Sequence, residues 1–269
     1  MRILAYMHLP IPSNANKFVA ILIVLAASAH AGTRILTSPI CPPVAADTWE
    51  FRLGIPGWMS GLKGDAGVHG QVAAVDASFF GDIVPVINMA GALSFEARKG
   101  RWGILTSGIY MNLSDVASTP GPLVDEVHLQ LKQLLLDGAV SYAVLNNDHG
   151  SLELLAGARY NYIYGNLSII GKNITFAGDD SQSWIDPYVG LLGRAKLTES
   201  IALVGKGDIG GFDVGSSLTW QLYGGLEFQL STSCYLGVGY RYLSVDYTSG
   251  GFTYDMATSG PQIELGFNF

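Results

Sequence analysis

Long segments of this chain alternate between apolar and polar or small residues with a period of two. The alternation is clear in Leu218–Leu230, Leu152–Tyr164, Cys234–Tyr242 and Ile263–Phe269. A period of two is typical of β-strands whose two faces meet different environments. Strands of about ten residues are also longer than the five or six that are usual in globular sheets. The pattern therefore predicts an all-β protein built from long strands.

The chain is too hydrophobic for an ordinary water-soluble surface. Only 14% of its residues are charged and 49% are hydrophobic, with a mean hydropathy of +0.30, whereas soluble domains carry about 25% charged residues. Beyond residue 31 every apolar run is soon interrupted, which excludes transmembrane helices. Because every backbone amide in lipid must be paired internally, a closed β-barrel is the remaining solution. The apolar content excludes disorder, and the net charge of −7 without a basic block excludes a nucleic-acid partner.

The first 31 residues have the form of a cleavable signal peptide. The apolar run over residues 18–27 follows Lys17 and would be only about 15 Å long as a helix, half the ~30 Å of a hydrocarbon core. It ends at Ala29-His30-Ala31, in which Ala29 and Ala31 fit the small-x-small rule for cleavage. We therefore expect the protein to be exported, with an uncleaved anchor as the alternative.

The chain divides into three predicted parts. Residues 1–31 are the signal peptide, 32–57 a Pro-rich periplasmic leader and 58–269 the barrel. The two cysteines, Cys41 and Cys234, are too few for a structural zinc site or a disulfide scaffold. In an oxidising compartment they either pair or remain free thiols.

Ten segments are long and regular enough to be barrel strands. A barrel with both termini on one side needs an even number of strands, and eight is the alternative because the segments before residue 114 alternate less cleanly. We expect an antiparallel up-and-down barrel with short turns at one end and long loops near 77–88, 114–126, 166–183, 211–216 and 248–255 at the other. The predicted strands are 62–76, 89–99, 102–113, 127–145, 151–165, 184–197, 201–210, 217–230, 234–247 and 256–269, the fourth with a bulge or an extension above the membrane near 132–134.

The signal peptide, the alternating strands and the closing Leu265-x-Phe267-x-Phe269 resemble Gram-negative outer-membrane β-barrel proteins. The likeness is to small porin-like barrels such as the OmpA- and OmpX-like ones, without a specific subfamily. It implies a monomer in the outer membrane, surrounded by outer-membrane lipid. It also implies that Leu265, Phe267 and Phe269 form the signal read by the barrel-assembly machinery.

The alternation projects most charged residues into the barrel interior, the lumen. Charges on the lipid face would cost ~2–4 kcal/mol each for Arg or Lys. Balanced signs favour a packed network of ion pairs, because a selective channel has a ring of one sign. The predicted lumen charges are Lys63, Asp65, Glu96, Arg98, Glu153, Arg159, Asp186, Arg194, Lys196, Lys206, Asp208, Glu227, Arg241 and Glu264, together with His69.

Glycines recur on the inward face, at Gly157, Gly190, Gly225, Gly239 and Gly266. One interpretation is that each leaves room for a long Arg or Glu side chain to cross a narrow lumen. The other is that they ease strand curvature.

No motif for catalysis, phosphate binding or metal binding is present. Ten-stranded proteases of the omptin type need acidic and histidine residues at the outer rim, where only His128, near Asp125 and Glu126, qualifies. Asp148-His149 falls in a predicted periplasmic turn. We therefore expect no catalytic residue, metal or cofactor, and a structural or surface-interaction role carried by the outer loops. A narrow pore for small solutes is the alternative, and an omptin-like enzyme is the weaker one.

Overall fold

In the computed structural model, which describes residues 48–68, 70–117, 126–170 and 175–269, long antiparallel strands form a closed barrel. Among these residues ten strands make the wall and two more form a hairpin beside it, which confirms the predicted fold class and strand number. The strands are β1 (Trp49–Trp58), β2 (Gly61–Val68), β3 (Gln71–Ala77), β4 (Ile87–Lys99), β5 (Trp102–Ala117), β6 (Glu126–Asn147), β7 (Gly150–Ile170), β8 (Thr175–Lys196), β9 (Ile201–Gly211), β10 (Leu218–Gln229), β11 (Cys234–Ser249) and β12 (Phe252–Asn268).

The barrel closes through β1, which pairs with β4 on one side and with β12 on the other. The wall therefore begins at Trp49, and the predicted boundary at residue 58 is wrong. Residues 62–76, expected to be the first wall strand, instead form the β2–β3 hairpin, whose β2 pairs with the upper half of β12. Pro56 and two glycines interrupt the alternation of β1, so its strand signal is weak.

The two ends of the barrel differ. At the turn end, the described strands are joined by the short connections around Gly100, Asp148, Thr198 and Thr232. At the opposite end, which we call the loop end, the predicted loop 248–255 is wrong. It is a two-residue turn at Gly250 and Gly251, whose φ angles of +58° and +88° suit a tight hairpin.

Strands β6, β7 and β8 rise furthest at the loop end. They contain 22, 21 and 22 residues, and a strand of this length spans roughly 75 Å along its axis. The predicted loop 166–183 is therefore mostly strand. The irregularity of β6 lies between Ala143 and Leu145, near the turn end. At 132–134 the strand continues without a bulge. The alternation in the sequence is unclear there because Leu135 points into an apolar part of the lumen.

The upper lumen is filled by apolar side chains. Trp184 stacks on Tyr247 with ring centroids 4.0 Å apart, and this pair packs with Leu135, Ile163 and Leu243. We call these residues the aromatic plug. It lies on the loop-end side of the lumen.

A short helical segment, Phe79–Ile83 followed by Val84–Val86, joins β3 to β4. Ile83 is buried against Leu62 and Met256. The hydroxyl and backbone amide of Ser78 each donate a 2.7 Å hydrogen bond to Asp82, and these bonds hold the pKa of that carboxyl below its usual range. The segment is thus anchored at both its apolar and its polar side.

Several predictions lie outside the described residues: the cleavage site at Ala29 and Ala31, the partner thiol Cys41, and His69. Cys234 has a free thiol. No helix among the described residues has the length and apolar character needed to cross a membrane.

Candidate functional site in the lumen

Two arginines and two glutamates cross-link the lumen near the turn end. Arg98 pairs with Glu96 on its own strand and with Glu153 on β7. From β8, Arg194 reaches Glu96 at 2.9 Å and Glu153 at 3.6 Å. Strand β4 is separated from β7 and β8 by other strands of the wall. The contacts therefore cross the interior at this level.

A second network crosses the middle of the lumen around Arg159, whose side chain is fully buried. Its guanidinium donates to Asp137 and Asp208 at 2.9 Å each and to the Thr219 hydroxyl at 3.1 Å. Asp208 also accepts a 3.1 Å hydrogen bond from Gln221. Buried charges are tolerated when they are paired and hydrogen-bonded in this way.

Arg241 joins this network from β11. Its Nε donates to Gln221 at 2.8 Å, and its guanidinium lies 3.8 Å from Asp137. The same guanidinium lies 4.4 Å above the ring of Trp58. Lys206 is held more loosely, 3.9 Å from Asp208.

A third group ties the first strand to the last ones. Arg52 donates to Glu227 at 2.7 Å and lies over the ring of Tyr235. The Tyr235 hydroxyl donates to Glu264 at 2.7 Å, and the Ser94 hydroxyl donates to it at 3.3 Å. These contacts link β1, β4, β10, β11 and β12 across the point of barrel closure.

Asp186 is fully buried and is held by neutral donors. Its two oxygens accept hydrogen bonds from the Ser216 amide at 2.6 Å, the Ser216 hydroxyl at 2.9 Å, Trp184 at 3.0 Å and Asn161 at 3.1 Å. Ser216 belongs to the β9–β10 connection, where Phe212 and Asp213 have positive φ angles. Asp186 therefore fixes this connection against the barrel.

We expect Asp186→Ala to loosen the β9–β10 connection. Hydrogen bonds to a charged group contribute about 1.5–3 kcal/mol, so the free energy of unfolding should fall by about that amount. Chymotrypsin should cut after Phe212 faster than in the parent protein. Asp179→Ala, at an exposed residue of β8, is the matched control. Equal cleavage of the two variants would contradict this role of Asp186.

Three of the predicted lumen charges lie elsewhere. Lys63 and Asp65 are on the exposed outer face of the β2–β3 hairpin, where Lys63 pairs with Asp76 at 3.6 Å, because they are opposite Ala257 and Asp255 on the outer face of β12. Lys196 lies where β8 meets its turn and pairs with Glu199 at 3.0 Å. The other predicted charges face the interior; they are Glu96, Arg98, Glu153, Arg159, Asp186, Arg194, Lys206, Asp208, Glu227, Arg241 and Glu264.

The prediction missed the lumen charges Arg52 and Asp137. Arg52 lies on β1, which the sequence did not identify as a strand. Asp137 follows the run Leu134–Leu136, where the two faces of β6 cannot be told apart. Each alternates in phase with its own strand, and that phase is the only signal that points to them.

The inward glycines accommodate tyrosine rings and neighbouring backbone. A Cβ at Gly225 would lie 2.6 Å from the Val238 carbonyl and 2.7 Å from the Tyr223 hydroxyl. At Gly239 it would lie 2.8 Å from the Tyr223 ring, and at Gly266 it would overlap Tyr235. The space at these three positions is thus occupied by tyrosines, and not by an Arg or Glu side chain.

A cavity of about 180 Å³ remains between the networks. Its polar lining includes Arg52, Arg194 and Gln262, and within the described part of the chain the Nε atoms of both arginines and the Gln262 carbonyl are buried without a hydrogen-bond partner. A polar space of this size holds several water molecules. The middle lumen therefore has room and polar partners for water, and ion pairs cross it on either side of this space.

The residues considered for catalysis lie near opposite ends of the barrel. His149 and Asp148 are exposed in the β6–β7 turn, and His128 is half-buried on β6. Asp125 lies outside the described residues. Among the residues that are described, no group of three or more His, Cys, Asp or Glu side chains is arranged to hold a metal ion.

The closing motif lies on the outer face of β12. Leu265 and Phe267 are opposite Ile55 and Leu53 of β1, and the ring of Phe269 stacks on Phe51 with centroids 5.7 Å apart. The terminal aromatics thus contribute directly to barrel closure. Their reading by the assembly machinery stays a prediction.

No family model and no curated protein matches this chain, but solved structures do. Outer membrane protease OmpT from Escherichia coli matches with a TM-score of 0.50 at 14% identity, covering 83% of this chain and 97% of that one. A major outer membrane protein of Thermus thermophilus matches with a TM-score of 0.37 at 14% identity, covering 81% and 99%. Ail, the attachment invasion locus protein of Yersinia pestis, matches at 0.35 and 8% identity, covering 83% and 100%. At such identities the likeness to OmpT establishes the fold alone.

Proposed function

We propose that this chain, which has the fold of outer-membrane β-barrel proteins, is an outer-membrane protein with a closed, ion-paired lumen. Its turn end faces the periplasm and its loop end faces the outside, as is usual for such barrels. The exposed apolar residues Ile104, Leu154, Leu191 and Leu222 of the wall support contact with lipid.

The observation that carries the proposal is that ion pairs cross the lumen at two levels. The Arg98–Glu96–Arg194 cluster spans the lumen near the turn end, and the Arg159 network spans the middle. The aromatic plug adds an apolar barrier above both. The barrel therefore serves as a scaffold, and its role depends on the part that stands outside the membrane.

That outer part is formed by β6, β7 and β8. About 9–11 tilted residues suffice to cross a bilayer, so about half of each of these strands stands clear of it. Gly178, Asp179 and Asp180 at the base of the β7–β8 tip are exposed. We propose that this extension makes surface contacts, without a catalytic step.

Planar-bilayer recording tests the closed lumen. The purified protein is expected to give no stable discrete openings, because the cross-lumen ion pairs persist in the folded barrel. A general porin reconstituted in the same bilayer is the positive control. Reproducible openings would favour the second candidate, a narrow pore in which small solutes pass through the cavity. Cleavage of a peptide library by the purified barrel would refute the non-enzymatic role.

A further inference from the structure

Strand β8 is paired along its whole length on one side only. Its ladder with β7 runs from Thr175 to Ala195 without a register shift. Its ladder with β9 begins only at Tyr188, because β9 has 11 residues against the 22 of β8. Above Tyr188, β8 has no second partner strand among the residues that the structure describes. The tall part of β8 is therefore an edge of the barrel sheet at the loop end.

The hydrogen bonding of β8 shows which backbone groups lie on this edge. The Lys196 amide donates a 2.8 Å hydrogen bond to the His149 carbonyl. Hydrogen-bonded and non-hydrogen-bonded pairs alternate along an antiparallel ladder, so the even-numbered residues of β8 pair toward β7. The amides and carbonyls of Asp179, Ser181 and Ser183 consequently point away from β7, toward the unoccupied side.

The open part of this edge ends where the β9–β10 connection covers β8. A Cβ at Gly215 would lie 2.5 Å from the Ile185 carbonyl, and the Ser216 amide donates to Asp186 at 2.6 Å. Residues 175–183 lie above these contacts, and we call them the free edge. At about 3.3 Å per residue, the free edge is about 30 Å long, which is enough to align a short partner strand.

The free edge lacks most of the features that protect edge strands. Natural edge strands are shortened, bulged, or interrupted by proline or lysine. The free edge contains neither proline nor lysine, and its ladder with β7 has no bulge. The Ser181 amide donates a 2.7 Å hydrogen bond to the Asp180 side chain, which occupies the place of a strand carbonyl. An incoming strand can replace this bond and release the Asp180 carboxylate.

The charge of the free edge is negative. Asp179 and Asp180 are exposed, and neither forms an ion pair within the described part of the chain. Their cross-strand neighbours on β7 are Asn166 and Gly165, so no cation lies opposite them on that side. As successive residues of a strand they point to opposite faces. A basic side chain opposite each aspartate would be favourable, whereas a second copy of the same edge would bring like charges together.

We propose that the free edge binds an extended, positively charged peptide segment of another protein as an added strand. The backbone of the segment pairs with Asp179, Ser181 and Ser183, and its basic side chains pair with the carboxylates of Asp179 and Asp180. Main-chain hydrogen bonds then provide the affinity and the side-chain pairs provide the register. This inference rests on the proposed function, because the free edge has to stand outside the membrane.

Binding of a defined peptide tests the site. The probe is Thr-Val-Thr-Lys-Lys-Thr-Val-Thr with a fluorophore, and the protein is folded into phosphatidylcholine nanodiscs, which leave both ends accessible. We expect saturable binding by fluorescence anisotropy and slower hydrogen exchange over residues 175–183. Ser181→Pro should weaken binding about tenfold or more, because it removes an amide of the free edge and none of the β7 ladder. Asp179→Asn combined with Asp180→Asn should weaken binding to a similar extent.

Matched controls separate strand addition from simple attraction of charge. Asp246→Asn, at an exposed residue of β11, should leave binding unchanged. Of two probes methylated at the odd or at the even backbone amides, one should bind about tenfold more weakly, although both keep their charge. Absence of saturable binding to the folded protein, or binding that neither methylation nor Ser181→Pro weakens, would overturn the proposal. Heat-modifiable gel migration verifies that each variant is folded.

Failure of this inference and failure of the proposed function give different results. Loss of peptide binding would leave the closed lumen standing, whereas stable openings in planar bilayers would contradict the closed lumen without affecting peptide binding. Dimers of the peptide-free protein that Ser181→Pro abolishes would show that a second copy occupies the free edge, and would also overturn the proposal.

Discussion

Replacing Arg159 by Met should cost the barrel more stability than any other single change of a lumen charge. Arg159 is buried and donates hydrogen bonds to Asp137, Asp208 and Thr219. Removing one partner of a buried ion pair leaves uncompensated charge and typically costs about 3–5 kcal/mol. Urea unfolding in vesicles, followed by tryptophan fluorescence and by heat-modifiable gel migration, measures the loss.

Lys196→Ala is the matched control, because its ion pair with Glu199 lies at the exposed turn end. Such surface pairs contribute about 0–1 kcal/mol. The double variant Arg159→Met with Asp208→Asn should lose less than the sum of the two single variants, since each single change leaves the other charge unpaired. Additive losses, or a loss for Arg159→Met no larger than for Lys196→Ala, would show that the network does not stabilise the fold.

Gly225→Val should prevent proper closure of the β10–β11 region, while Gly224→Val should be nearly silent. The two glycines are neighbours on β10 and point to opposite faces. A Cβ at Gly225 would meet the Val238 carbonyl at 2.6 Å and Gly239 at 2.8 Å, whereas at Gly224 nothing lies within 4 Å. Overpacking of this kind costs typically 1–3 kcal/mol and sometimes more.

Refolding yield into vesicles and the urea midpoint distinguish the two valine variants. Only the yield and midpoint of Gly225→Val should fall. The outward variant places an apolar side chain on the outer face of the wall, where apolar side chains such as Leu222 are already exposed. If both variants lose stability equally, the assignment of inner and outer faces on β10 is wrong.

The fold was predictable wherever the two faces of a strand differ in chemistry. Strand β7 alternates Tyr160 and Tyr162 outward with Arg159 and Asn161 inward, so its orientation can be read directly. Strand β1 could not be found in this way because Pro56 interrupts it. The β2–β3 hairpin is rich in glycine and alanine, and its period of two carries no information on which partner strand it meets.

For the site, the sequence predicted which charges point inward, but not which of them pair. The reach of Arg98 to Glu153, and of Arg52 to Glu227, depends on the stagger of strands that are not neighbours in the wall. A single sequence does not specify that stagger. The neutral donors around Asp186 could not be predicted either, because Ser216 lies in a connection whose sequence has no periodicity.

Barrel closure has a consequence for how the chain folds. Phe51 and Phe269 exchange backbone hydrogen bonds of 2.9 and 3.0 Å, although nearly all of the described chain lies between them. The chain loses loop-closure entropy before this pairing contributes any stabilising contact, so topologies of such high contact order fold slowly. Until the last strand arrives, both terminal edges remain unpaired and open to aggregation. The final residues of the chain therefore govern how long the unfinished sheet must be protected.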